Sequence, residues 1–91
     1  MSNEFETGVV LISEGTLKVL SGRDIKKALE RHKNCDWGES GFTKENERGL
    51  RRKKDIISVY RSSRNQPFFI ATPEEHTITL VLLPGEYYQF S

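Results

Sequence analysis

The spacing of apolar residues changes partway along this chain. In the first half they recur at three- and four-residue intervals; beyond Lys54 they alternate or run together. "GVVLIS", residues 8–13, is a short apolar run bounded by Gly8 and Gly15 and predicts a strand. "EGTLKVLSG" predicts one or two helical turns, with Thr16 as N-cap and Gly22 as the stop. "RDIKKALERHK" is the clearest helix. Ile25, Ala28, Leu29 and His32 fall at i, i+3, i+4 and i+7, which is one face, and Arg23, Lys26, Lys27, Glu30 and Lys33 cover the rest. Ser21 or Asp24 serves its first turn. "NCDWGESGF" is a loop by composition. "TKENERGLRR" resumes helical spacing with Thr43 as N-cap. Its inward positions, Phe42, Asn46, Gly49 and Leu50, are poor in apolar material, so close packing or a polar contact is expected there.

Three β-rich runs follow. "DIISVYR", "FFIAT" and "TITLVLLP" are separated by the turns "SSRNQP" and "PEEH", and Pro84 ends the last. Strands on such short connections form an antiparallel meander, one face of which the helices must cover. The expected fold is an α+β two-layer sandwich: an N-terminal strand and two to three short helices packed on a C-terminal three-stranded antiparallel meander. Residues 1–91 form a single domain, with 1–6 and 89–91 expected to fray.

Composition narrows the setting. At 35% hydrophobic and 30% charged, with 10% aromatic residues, the chain has enough apolar material for a small core and is not of a disordered composition. Its single cysteine forbids an internal disulfide, as suits a reducing compartment. "MSNEFETG" lacks the pattern of a signal peptide, and no apolar run approaches the roughly 20 residues that span a bilayer. A cytoplasmic protein without a membrane partner is expected. Net charge is +1, but residues 48–65 carry seven basic side chains against Asp55 alone, between two mildly acidic segments.

Candidate chemistry gathers at "ERHKNCDWGES", which holds the only tryptophan, the only cysteine and one of two histidines. His32 lies on the apolar face of its helix. It is either a satisfied core residue or a general acid or base, and in the second case Asp36 is the partner that would orient its ring. Strand alternation puts Ser58, Tyr60, Thr77 and Thr79 on one face, as a patch of hydroxyls; β-propensity alone also accounts for them, facing water. Trp37 is either a packing residue that locks the loop or a stacking residue for a partner. One cysteine and two histidines fall short of a structural zinc site, so no metal is expected, and no cofactor motif is present. Cys35 has only His32 nearby to activate it and reads as inert. Arg48, Arg51, Arg52, Lys53 and Lys54 form the densest charge run. With Arg61 and Arg64 they are either a solvated helix end or the edge of a phosphate-binding surface.

"RHKNCDWGE", "NERGLRRKKDIISVYR" and "FFIATPEEHTITLVLLPGEY" together resemble a group of small bacterial proteins often labelled plasmid-related proteins. The shared pattern is Arg-His, Asp-Trp-Gly, a helix with an Asn, Ser-x-Tyr, then Leu-Leu-Pro-x-Glu-Tyr. It falls here on Arg31, His32, Asp36, Trp37, Gly38, Asn46, Ser58, Tyr60, Thr79, Leu82, Leu83, Pro84, Glu86 and Tyr87, covering most of residues 8–87. The resemblance implies a bacterial setting, often on mobile DNA, and no defined activity. "KNC" stands before Asp36 where the group tends to have small residues and Gly, which argues against Cys35 as a shared catalytic residue.

Two functions remain open on the sequence. One is a non-catalytic binding or regulatory module for a protein or nucleic acid, with Arg48, Arg51, Arg52, Lys53, Lys54, Arg61, Arg64 and Trp37 as partner-binding residues. The other is a metal-independent ribonuclease or toxin-like hydrolase, by analogy of fold, using His32, Asp36, Ser58, Tyr60, Arg61 and Thr79. Self-association through an open sheet edge or face is a third, coarser expectation.

Overall fold

The structure is a computed structural model that describes residues 4–87. Its elements are β1 (Val9–Ile12), α1 (Glu14–Val19), α2 (Gly22–Lys33), α3 (Thr43–Arg52), β2 (Ile56–Arg61), β3 (Pro67–Thr72), a 3-10 turn (Glu74–His76), β4 (Ile78–Leu82) and α4 (Pro84–Tyr87). The α+β class is as expected, and β2, β3 and β4 form the antiparallel meander. The sheet has a fourth member, however. Its order is β1-β4-β3-β2, with β1 parallel to β4 and Val9 opposite Ile78. The sheet is therefore mixed, because the chain must pass through all three longer helices before it returns beside β1.

Alternation then sorts the core. Tyr60, Phe68, Ile70 and Val81 share the face that α2 covers with Ile25 and Ala28, and Leu20 closes this cluster from the end of α1. On the opposite face Ala71, Leu80 and Leu82 are also buried.

The helix ends differ in detail from expectation. The N-cap of α1 is Ser13, whose hydroxyl accepts from the Thr16 amide at 3.1 Å. Thr16 lies inside that helix, with its hydroxyl donating to the Val81 carbonyl. Ser21 caps α2 as expected, accepting from the Asp24 amide. The residue before α3 is Phe42, which makes no side-chain cap, and Thr43 is its first helical position. The polar inward face of α3 is real. A Cβ on Gly49 would stand 2.7 Å from the Asp55 carbonyl oxygen, so only glycine lets α3 approach the start of β2 this closely.

Within the segment expected to fray, the Phe5 amide donates to the Lys33 carbonyl at 3.1 Å. Residues 89–91 and 1–3 lie outside the described residues.

Candidate functional site

The loop after α2 begins with a left-handed residue. Cys35 has φ 64°, its amide donates to the His32 carbonyl, and the Asp36 amide donates to the Arg31 carbonyl. These two bonds are those of a Schellman ending, in which the left-handed position favours glycine. The turn swings Trp37 back over the helix. Trp37 is 9% exposed and packs its ring against Phe5 and His32, so it is a core residue and its reading as a stacking surface for a partner is corrected. Large apolar area buried at a helix end is the stronger demand in a small domain.

His32 is fully buried, at 0% exposure. Its Nδ1 lies 2.5 Å from Ser58 Oγ and its Nε2 lies 2.9 Å from Thr72 Oγ1. Thr72 Oγ1 is in turn 2.7 Å from Thr79 Oγ1, which donates to the Thr7 carbonyl at 2.7 Å. The proton positions follow from the far end. A carbonyl only accepts, so Thr79 donates to Thr7, Thr72 donates to Thr79, and His32 Nε2–H donates to Thr72. The neutral imidazole then accepts from the Ser58 hydroxyl at Nδ1. Burial, with a smaller contribution from the charge of His76, lowers the His32 pKa to about 3, which matches a ring that stays neutral.

Sequence alternation thus placed Ser58 and Thr79 on one face, but that face is the interior and not water. Thr77 is exposed and takes no part. Thr72 and Thr7 were missed. Thr72 ends a run that read simply as a strand, and only the register that pairs Thr72 with Ile56 brings it under His32.

The other residues proposed for catalysis go elsewhere. Asp36 does not orient His32; its carboxylate accepts from Arg31 Nε at 2.8 Å and Nη2 at 3.2 Å, which holds its pKa below the usual range. Tyr60 donates its hydroxyl to the Asp36 carbonyl at 2.6 Å, and burial pushes its pKa up. Arg61 pairs with Glu39 on the surface. Burial also raises the Cys35 pKa, opposite to what a nucleophilic thiolate needs. With both ring nitrogens engaged and no exposed atom, His32 offers a substrate no open side. Among the described residues, no group of three or more His, Cys, Asp or Glu side chains is placed to hold a metal ion.

The cationic run separates as well. Arg48, Arg51, Arg52 and Lys53 are exposed around the end of α3, while Lys54 pairs with Glu74. Arg61, the last residue of β2, and Arg64 in the turn after it lie at the other end of that strand, six residues long and so ~20 Å away. The run does not fold into one phosphate-binding edge.

The two sheet edges are unlike. Along β2, the Asn46 amide bonds both backbone groups of Ile57, donating to its carbonyl at 2.8 Å and accepting from its amide at 2.9 Å. The loop takes the next pair: Val59 donates to the Trp37 carbonyl at 3.1 Å and accepts from the Glu39 amide at 2.7 Å. Gly38, at φ 64°, permits that approach, since a Cβ there would stand 2.1 Å from the Val59 oxygen. That edge is closed. Along β1 the Val9 amide bonds the Thr77 carbonyl and the Ser13 amide bonds the Val81 carbonyl, so the alternate residues, Val10 and Ile12, turn their backbone groups outward. Val9, Val10 and Leu11 are 63%, 37% and 49% exposed.

Among the described residues, fold and site together define an α+β domain with a sealed polar core and one open sheet edge. No family model, curated protein or solved structure gives a significant match to the chain.

Proposed function

We propose that this chain is a non-catalytic binding module that takes an extended segment of a partner protein as an added strand along β1. The observation that carries this reading is the contrast between the edges: β2 is closed by Asn46 and the Trp37–Gly38 loop, while β1 is apolar throughout and has outward backbone groups at Val10 and Ile12. Open edges of this kind are usually blunted by charge, proline or a covering element, and Val9–Ile12 has none of the first two in its sequence. Strand addition uses such an edge, with main-chain bonds for affinity and side chains for specificity.

The flanks favour a different protein over a second copy. Antiparallel self-pairing through Val10 and Ile12 sets Gly8 opposite Glu14 of the other copy and crowds Glu6 and Glu14, both exposed. A partner segment with apolar alternation and basic flanks avoids that repulsion. The sealed His32 supports the non-catalytic half of the reading. The setting implied by the sequence resemblance, a bacterial accessory protein on mobile DNA, belongs to the same proposal.

A display library of extended peptides, selected on the full chain and mapped by amide NMR, tests this. Selected peptides should shift Val9–Ile12, carry basic flanks and lose binding in Leu11→Lys. Peptides that map elsewhere, or bind Leu11→Lys equally, count against the reading. Sedimentation over a range of concentrations reads the second-copy alternative directly.

A further inference from the structure

The sheet registers align four apolar side chains in one row. On the face away from α2, Ile57 of β2 stands beside Ala71 of β3, Ala71 beside Leu80 of β4, and Leu80 beside Leu11 of β1. Val9 and Ile78 form a shorter row on the same side. Within the four strands, the one charged residue of this face is Arg61, at the far corner in β2. The Leu11 row is closed in its middle and open at one end. Leu80 and Ala71 are 6% and 7% exposed, whereas Leu11 and Val9 are 49% and 63% exposed. An antiparallel sheet face left to water is ordinarily polar, and this one runs apolar to the edge of β1 and ends in solvent there.

The other face of β1 has different neighbours. Val10 lies beside Thr79, which belongs to the hydroxyl chain under His32, and Ile12 packs against the helix-covered cluster. Val10 is 37% exposed and Ile12 is half-buried. A side chain added beside these two meets a layer that is already covered or hydrogen-bonded. One added beside Val9 or Leu11 meets open apolar surface, and burying it there removes the most area from water.

We propose that Val9 and Leu11 set the phase of the strand that adds to β1. This rests on the strand-addition reading and names its partner further: a short segment with two large apolar side chains, two residues apart, both on the face away from α2. They extend the Leu11 row and the Val9 row by one member each. The residues between them, beside Val10 and Ile12, are free to be polar. The phase is the same for a parallel or an antiparallel addition, because side chains level with Val9 and Leu11 point to one face in both. A charge at either apolar position is buried against Val9 or Leu11 without a partner, which excludes it. Glu6 and Glu14, exposed on either side of β1, keep the preference for basic flanks. The contact is short, since Gly8 turns out of the strand with φ 65° and α1 begins at Glu14.

The experiment titrates the full chain with a synthetic peptide of alternating valine and threonine with lysine flanks. Isotope-filtered NMR reads contacts between the peptide valine methyls and the protein. Contacts to Val9 and Leu11 are expected, with none to Val10. Affinity should fall about tenfold in Val9→Thr and in Leu11→Thr, and stay unchanged in Val10→Thr. Threonine suits a strand and all three positions are exposed, so the variants keep the fold. Shifts of the Val10 and Ile12 amides with valine contacts to Val10 leave strand addition standing and overturn the phase. An absence of shifts along β1 overturns strand addition itself, and the phase with it. Methyl contacts at Leu11 between differently labelled copies, without peptide, assign the row to a second copy and overturn the partner.

Discussion

His32 Nδ1 and Ser58 Oγ stand 2.5 Å apart, in an interior position where neither side chain has any solvent-exposed surface. One comes from the last turn of α2 and the other from the middle of β2, so this contact joins the helical layer to the sheet. A polar bond at such a joint is sensitive to protonation and to the loss of any member.

Stability should fall as pH drops from neutrality. The folded pKa of His32, about 3, lies below the unfolded value of about 6.5. The unfolded chain therefore binds this proton first, and stability present above pH 6.5 is lost progressively toward pH 3. The loss is ~1.4 kcal/mol per pH unit inside that window. The carboxylates of Asp24, Asp36 and Glu86 have lowered pKa values and add their own loss once the pH falls through their unfolded values of about 4, in the lower part of the same window. Urea unfolding at a series of pH values between about 7 and 5 reads the His32 contribution first; a flat profile there contradicts it.

Removing the hydroxyl at Thr72 should be costly while shortening it should not. Thr72→Val leaves His32 Nε2–H without a buried acceptor and removes the hydroxyl that donates to Thr79, which keeps only its bond to the Thr7 carbonyl, and is expected to cost about 1–3 kcal/mol. Thr72→Ser keeps the hydroxyl and should recover most of that. Denaturant midpoints of the two variants decide it, and equal losses would mean that only the methyl matters.

Gly38→Ala should destabilise the domain by about 2 kcal/mol or more and open its second edge. The added carbon would stand 2.1 Å from the Val59 oxygen, and the residue already has a left-handed φ of 64°. The loop must then leave β2, exposing the backbone groups of Val59. Faster amide exchange at Val59 and Glu39, beyond that of the rest of the sheet, is the expected signature.

Cys35→Gly should be tolerated or stabilising, by about 0.5–1 kcal/mol, because the left-handed C′ position suits glycine. Thermal unfolding measures it, and a clear fall in midpoint would show that the cysteine side chain outweighs its backbone strain.

Much of the architecture was legible because it is local. The i, i+3, i+4, i+7 spacing of Ile25, Ala28, Leu29 and His32 marked α2 and its inward face, and the alternation in β2, β3 and β4 marked the meander. Even the odd Asn46 and Gly49 of α3 signalled close, polar packing. These are statements about neighbours within a few residues, and backbone period alone determines them.

The site was decided elsewhere. Whether His32 faces Asp36 or Ser58, whether Thr72 lies beneath it, and whether β1 joins the sheet all depend on registers between segments far apart in the chain. Thr79 and Thr7, for instance, are separated by 72 positions and meet only because β1 pairs in parallel with β4. The sequence by itself determined the elements, their faces and the scarcity of catalytic groups. Only the tertiary structure decided that the polar residues close on one another in the interior while an apolar edge stays open, because buried polar groups must find partners wherever the packed registers place them.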